Sequence, residues 1–111
     1  MKRGEIWMVD FGPAMGPEQA GTRPAVILQD DALGQVFATT IVIPLTTNLR
    51  RLSLPTTLLL NAGEGGLPRD SVALCYQVQV RGKARLTQRL GELSPERLSD
   101  IEAELLKALG L

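Results

Sequence analysis

Glycine and proline punctuate this chain so densely that it has room for short strands and for little helix. Its 111 residues include 11 glycines and 7 prolines. The segments between them are β-prone. Residues 5–11 mix large apolar and branched side chains and predict a first strand. Residues 12–22, with Gly12, Pro13, Gly16, Pro17 and Gly21, predict a long loop. A buried strand is expected over 24–28, with Arg23 leading into it, and a turn or single helical turn at 30–34. Residues 36–45 form a long run with Val36, Thr39, Thr40, Ile41, Val42 and Ile43, where Pro44 implies an edge, a bulge or an exit. A polar, basic loop is expected at 46–53 and a strand at 54–61. Gly63, Gly65 and Gly66 make a turn. A strand over 71–80 is expected to break or bend near Tyr76 and Gln77, and a last short strand lies near 88–93.

One segment escapes the punctuation. Ser94 is a good N-cap, Pro95 suits the first helical position, and Gly110 is a natural stop. Leu98, Ile101, Leu105 and Leu109 recur at helical spacing, so this helix should dock on the strands. The expectation is one domain over 1–111, mainly β with some α, built as an antiparallel β-barrel with a C-terminal helix.

Composition narrows the chemistry. The chain has no histidine, which removes the Ser-His-Asp triad, the Cys-His pair and the HExxH zinc helix. The lone Cys75 excludes a disulfide framework and a cysteine zinc site, and it reads as a small buried apolar residue. No apolar stretch is long enough to span a membrane. Met1-Lys2-Arg3 leads into Gly4-Glu5 without an apolar core, so no secretory signal is expected. A cytoplasmic location follows as an expectation. The net charge of zero averages two unlike parts. Residues 1–90 carry 10 basic and 7 acidic side chains, and residues 91–111 carry 2 and 5. The body can face a polyanion; the acidic tail is equally a solvated helix surface.

Three clusters could carry chemistry. In Gly16-Pro17-Glu18-Gln19-Ala20-Gly21-Thr22-Arg23-Pro24, a glycine-rich loop brings Glu18, Gln19 and Thr22 beside Arg23. The following proline holds the base of Arg23 extended. A guanidinium beside a carboxylate suits phosphate recognition, or it is a structural Glu18–Arg23 pair that ties the loop down. Thr46, Thr47 and Asn48 end the long strand with groups that can bond phosphate or a base edge, although strand ends are commonly polar. Arg50, Arg51, Arg81, Lys83 and Arg85 sit at basic tips that either track a nucleic-acid backbone or are ordinary solvated turns. With only Trp7, Phe11, Phe37 and Tyr76 as aromatics, an open stacking platform is not expected. Trp7 reads as core or interface.

Taken in order, these pieces resemble the MazF/PemK family of toxin endoribonucleases. The likeness runs through Arg3-Gly4-Glu5-Ile6-Trp7, Glu18-Gln19-Ala20-Gly21-Thr22-Arg23-Pro24-Ala25-Val26 and Val42-Ile43-Pro44-Leu45-Thr46-Thr47. It continues through Arg69-Asp70-Ser71-Val72-Ala73-Leu74-Cys75 to Gly91-Glu92-Leu93-Ser94-Pro95-Glu96. The resemblance implies an SH3-like barrel acting as a homodimer. It implies sequence-specific cleavage of single-stranded RNA without metal or cofactor, and an antitoxin partner whose extended acidic segment fills the RNA groove. The family's catalytic arginine falls on Arg23, its catalytic threonine on Thr46 and its loop glutamate on Glu18.

Departures stand at Pro17, where many members have Ser, and at Thr22, where some have His. Tyr76 replaces a common acidic residue and Gln79 a common arginine. A base at position 76 is therefore excluded. Expected RNA contacts are Gln19, Thr22, Thr47, Asn48, Arg50, Arg51, Gln77, Gln79, Arg81, Lys83 and Arg85. A guanidinium holds its proton tightly. Arg23 is therefore expected to stabilise the phosphorane with Thr46, while Glu18 acts as base or orients Arg23. A gyrase-binding toxin of the same fold, or an inactive RNA- or partner-binding module, is the alternative.

Overall fold

The computed structural model describes residues 1–13 and 20–111. The chain runs β1 (Glu5–Asp10), β2 (Thr22–Ile27), the single helical turn α1 (Asp31–Gly34), β3 (Thr39–Thr46), β4 (Thr57–Leu60), β5 (Ser71–Leu74), β6 (Gln79–Gly82), β7 (Leu86–Glu92) and α2 (Pro95–Leu109). Single turns of 3-10 helix lie at Leu49–Ser53, Glu64–Gly66, Cys75–Gln77 and Lys83–Arg85. Among the described residues, no helix is long and apolar enough to cross a membrane.

All strand pairs are antiparallel, in the order β4-β5-β3-β2-β1-β7, with β6 also on β3. Strand β3 is the hub. One edge pairs with β2, from Ala25↔Pro44 to Ile27↔Val42. Its other edge serves two partners: Thr39 to Val42 pair with β6, and Leu45 and Thr46 pair with β5. Pro44 sits at the change of partner, where a residue without an N–H costs the ladder least. The expected strand 71–80 is accordingly split by the turn Cys75–Gln77.

Other boundaries shift for local reasons. β2 begins at Thr22 rather than beyond Arg23, because Asp10 and Val9 of β1 pair with Thr22 and Arg23. β3 starts later than residue 36, because the N–H groups of Val36 and Phe37 are taken by the Leu33 carbonyl. The expected loop 46–53 contains an ordered 3-10 turn, capped by Asn48 Oδ1 on the Arg50 N–H at 3.2 Å. β4 starts only at Thr57, because Thr56 has φ 59 and breaks the extended run. β7 begins at Leu86, opposite Val9, rather than at 88.

Alternation puts two cores on opposite faces of the sheet. The larger holds Ile6, Val26, Ile43, Leu45, Leu60, Leu67, Leu93 and Ile101 and is covered by α2. The smaller holds Val9, Phe11, Ala25, Ile27, Val42 and Leu86, with Trp7 packed on it. Ser94 caps α2 by accepting the Arg97 N–H at 3.3 Å, and Gly110 closes it with φ 74. Leu98, Ile101 and Leu105 face the core as expected. Leu109 does not; it lies in the last turn of α2 and is 54% exposed. Arg97 pins the helix to the β4 end through Glu64 at 2.8 Å and the Leu59 carbonyl.

The outer strands β4 and β7 are not paired with each other, so the wrap is barrel-like without a closed ladder. The turn after β4 bridges them by backbone contact. A Cβ on Gly91 would meet the Gly65 carbonyl carbon and oxygen at 2.6 Å, and one on Gly66 would meet the Leu90 carbonyl oxygen at 2.1 Å. Gly91→Ala should therefore cost about 1–3 kcal/mol in denaturant unfolding. Gly82→Ala, with nothing within 4 Å of the added methyl, should be near neutral. Equal losses at the two positions would refute this account of closure.

Glu5 stabilises the adjoining β1–β7 pair. Burial pushes its carboxyl pKa up, but the Lys2 N–H, Arg89 and Trp7 Nε1 more than offset this and lower it to about 2. A depressed carboxylate contributes stability above its unfolded value, near 4.5, and loses it as pH falls from there toward 2. With Arg89 half exposed, the contribution is about 2 kcal/mol. The stability gap between wild type and Glu5→Gln should close as pH falls from 5 to 2; a gap constant across that range would count against it.

Candidate functional site

Arg23 and Thr46 are far apart in sequence, and the antiparallel pairing of β2 with β3 carries the strand ends that bear them to the same end of the sheet. The ladder pairs Ala25 with Pro44. The paired rungs stop there, with Arg23 two residues before Ala25 on β2 and Thr46 two residues beyond Pro44 on β3. Arg23 is also paired with Val9 of β1, so both side chains belong to the face that carries the smaller core. Arg23 Nε donates to the Ala20 carbonyl at 2.7 Å, which anchors the guanidinium at the strand mouth; among the described residues its Nη groups have no hydrogen-bond partner. Thr46 is buried, and its Oγ1 accepts the Asn48 N–H at 3.2 Å. With an acceptor site of that oxygen occupied, its own proton is free to be donated.

Glu18 and Gln19 lie outside the described residues. Thr22 is exposed at the start of β2, and Thr47 and Asn48 are exposed just beyond β3. Arg50 and Arg51 follow on the 3-10 turn that Asn48 caps.

A second group gathers on the same face. Gln79 pairs with Val42 and Arg81 with Thr40, so both share the face of Val42, four residues along β3 from Thr46, or about 13 Å at strand rise. The Arg81 guanidinium lies 5.4 Å over the Phe11 ring, a cation–π contact that fixes it beside the smaller core. Tyr76, Gln77, Val78, Gln79 and Arg81 line a groove of about 530 Å³. Gln79 Nε2 donates to the Gln77 carbonyl at 3.0 Å. The Tyr76 hydroxyl accepts from Arg51 Nη1 at 3.1 Å and from Gln77 Nε2 at 3.4 Å.

Lys83 and Arg85 are engaged by their own chain. Lys83 Nζ donates to the Gly34 carbonyl, and Arg85 pairs with Asp10 at 3.6 Å. The structure therefore separates these two from the Arg51–Arg81 group. Tyr76 and Phe11 are not among the expected site residues; for Tyr76, the available signal was its standing where related chains commonly have an acidic residue. Cys75 is buried, and that burial pushes its thiol up to about 12, so it supplies no thiolate. Among the described residues, no three His, Cys, Asp or Glu side chains converge as a metal site requires.

A family model described as a PemK-like, MazF-like toxin of type II toxin-antitoxin systems matches residues 2–109. Endoribonuclease EndoA of Bacillus subtilis (strain 168) is 33% identical over 111 residues, covering 100% of this chain and 96% of its own. The crystal structure of MazF (Form-I) from Deinococcus radiodurans aligns with a TM-score of 0.85 at 25% identity, covering 100% of this chain and 97% of its own. An endoribonuclease solved in complex with its cognate antitoxin from Mycobacterial species aligns with a TM-score of 0.82 at 26% identity, covering 100% and 96%.

Proposed function

The chain belongs to the PemK-like, MazF-like family of type II toxins, and from that premise we propose that it is an endoribonuclease toxin. It cleaves single-stranded RNA at a preferred sequence, without a metal ion, by attack of the ribose 2′-OH. The observation that carries this reading is the antiparallel pairing of β2 with β3, which carries the start of β2 with Arg23 and the end of β3 with the buried Thr46 to the same end of the sheet. The named activity of EndoA supports the same reading.

The chemistry requires a 2′-O–P bond to form and the P–O5′ bond to break. Negative charge builds on the non-bridging oxygens in between. Arg23 and Thr46 are donors aimed at that charge, and each such donor contributes about 3–4 kcal/mol to a transition state. The 2′-OH proton leaves to Glu18 or, where Glu18 instead orients Arg23, to a solvent water. The O5′ atom takes a proton from the Arg23 side. The products are a 2′,3′-cyclic phosphate and a 5′-OH end. Without an imidazole in the chain, the rate should show no inflection of histidine origin.

Groups that can bind RNA lie around this centre: Thr22, Thr47, Asn48, Arg50, Arg51, Gln77, Gln79 and Arg81, with Gln19 in the loop and Lys83 and Arg85 further off. The chain acts as a homodimer. Its inhibitor is an antitoxin that lays an extended acidic segment over the same basic surface, a reading supported by the neighbour solved with its cognate antitoxin.

Purified protein should cut a mixed single-stranded RNA pool in EDTA, and the ends should share a short sequence. Intact RNA, or cutting restored only by added metal, would overturn the reading. A 2′-deoxy sugar at the cut position should abolish cleavage. Arg23→Ala and Thr46→Ala should each lower kcat by about a hundredfold or more with little change in Tm. Glu18→Gln separates the two roles: loss of the acidic limb of the pH–rate profile marks the base, and a uniform loss across pH marks the orienting role.

A further inference from the structure

The geometry points to Tyr76 as a wedge that stands between two successive bases of the bound RNA and sets part of the sequence preference. This inference rests on the ribonuclease reading and adds a specificity-determining residue to it.

Tyr76 is 39% exposed and forms a wall of two different recesses. On one side is the groove of about 530 Å³, shared with Gln77, Val78, Gln79 and Arg81. On the other is a recess of about 310 Å³, lined by Leu54, Pro55 and Thr56. Each is large enough for one base. The apolar side offers a surface against which a base can stack on the phenol ring. The polar side offers two side-chain amides that can bond a base edge.

The ring is held in place at its far end. Arg51 Nη1 and Gln77 Nε2 both donate to the hydroxyl, so its own proton remains to be given to a base acceptor. Gln77 Oε1 is buried and accepts no hydrogen bond from the described residues. An orphan acceptor is costly, and turning the amide toward a base N–H in the groove would satisfy it, with Arg51 Nη1 at 3.1 Å left to hold the phenol. Arg51 on the hydroxyl and Arg81 in the groove wall supply positive charge for the phosphates that join the two nucleotides. An acidic side chain at position 76 could not do this, because it would repel the phosphates and present no flat ring. Tyr76 and Gln79 together thus replace charge with stacking and neutral hydrogen bonding.

The test measures binding of a short RNA that contains the cleaved sequence, with a 2′-deoxy sugar at the cut position. Abasic nucleotides are placed one position at a time. For the wild type, removing either of two adjacent bases should weaken binding about tenfold, the usual scale of base–aromatic stacking. Tyr76→Leu keeps apolar bulk but not the ring; it should bind intact RNA about tenfold more weakly and lose its sensitivity at those two positions. Tyr76→Phe should retain that sensitivity. Tm values establish that each variant is folded. If Tyr76→Leu keeps the wild-type abasic pattern while the wild type cuts RNA, the wedge is refuted and the ribonuclease reading stands. A wild type that leaves RNA uncut overturns both.

Discussion

Strand β3 is the member on which the other elements depend. It has two edges but three partners, because its second edge passes from β6 to β5 within a few residues. That handover needs a place where the ladder can lapse without stranding a donor, and Pro44 provides it. From it follow the turn Cys75–Gln77, the position of Tyr76 on that turn, and the placing of Thr46 at the strand end. The fold and the site therefore share one origin. The hydrogen-bond interruption that lets the sheet wrap also builds the wall of the groove.

The two faces of the sheet divide the work. One face is buried under α2 and contains the bulk of the apolar side chains. The other has a smaller core, and its margins are polar: Arg23 and Thr46 at one end, Gln79 and Arg81 further along, Glu5 and Arg89 toward β7. A half-filled face leaves room for a ligand while the covered face supplies the rigidity that positions its donors. Charge follows the same division. Arg97 and Glu5 are consumed in holding α2 and the β1–β7 rim, whereas Arg51 and Arg81 are fixed through a phenol and a ring, contacts that position a guanidinium without neutralising it.

Much of this was legible in the residues. The Ser94-Pro95 start and Gly110 stop of α2, the buried Cys75, the bend near Tyr76 and the interruption at Pro44 all followed from local chemistry, and the structure agrees; the six expected strands become seven because that bend divides 71–80 into β5 and β6. The resemblance pointed to Arg23 and Thr46 before any coordinates. What failed was boundary detail: Val36 reads as strand but gives its N–H to the Leu33 carbonyl of the helical turn, and Leu109 fits the apolar stripe but is exposed. The basic tips also looked alike in sequence. Lys83 and Arg85 are tied to Gly34 and Asp10, and no local pattern announces a partner 49 or 75 positions away.

The amino-acid sequence by itself determined the element types, the absence of imidazole chemistry and the identity of the groups available to the site. These depend on backbone propensity and on which functional groups the chain contains, both local properties. Only the tertiary structure decided which of those groups meet. The antiparallel pairing of β2 and β3 put the strand ends that bear Arg23 and Thr46 at the same end of the sheet, and the change of partner along β3 put Tyr76 between two recesses. Both depend on contacts between residues distant in the chain, formed when burial of two unequal cores fixes how the strands align.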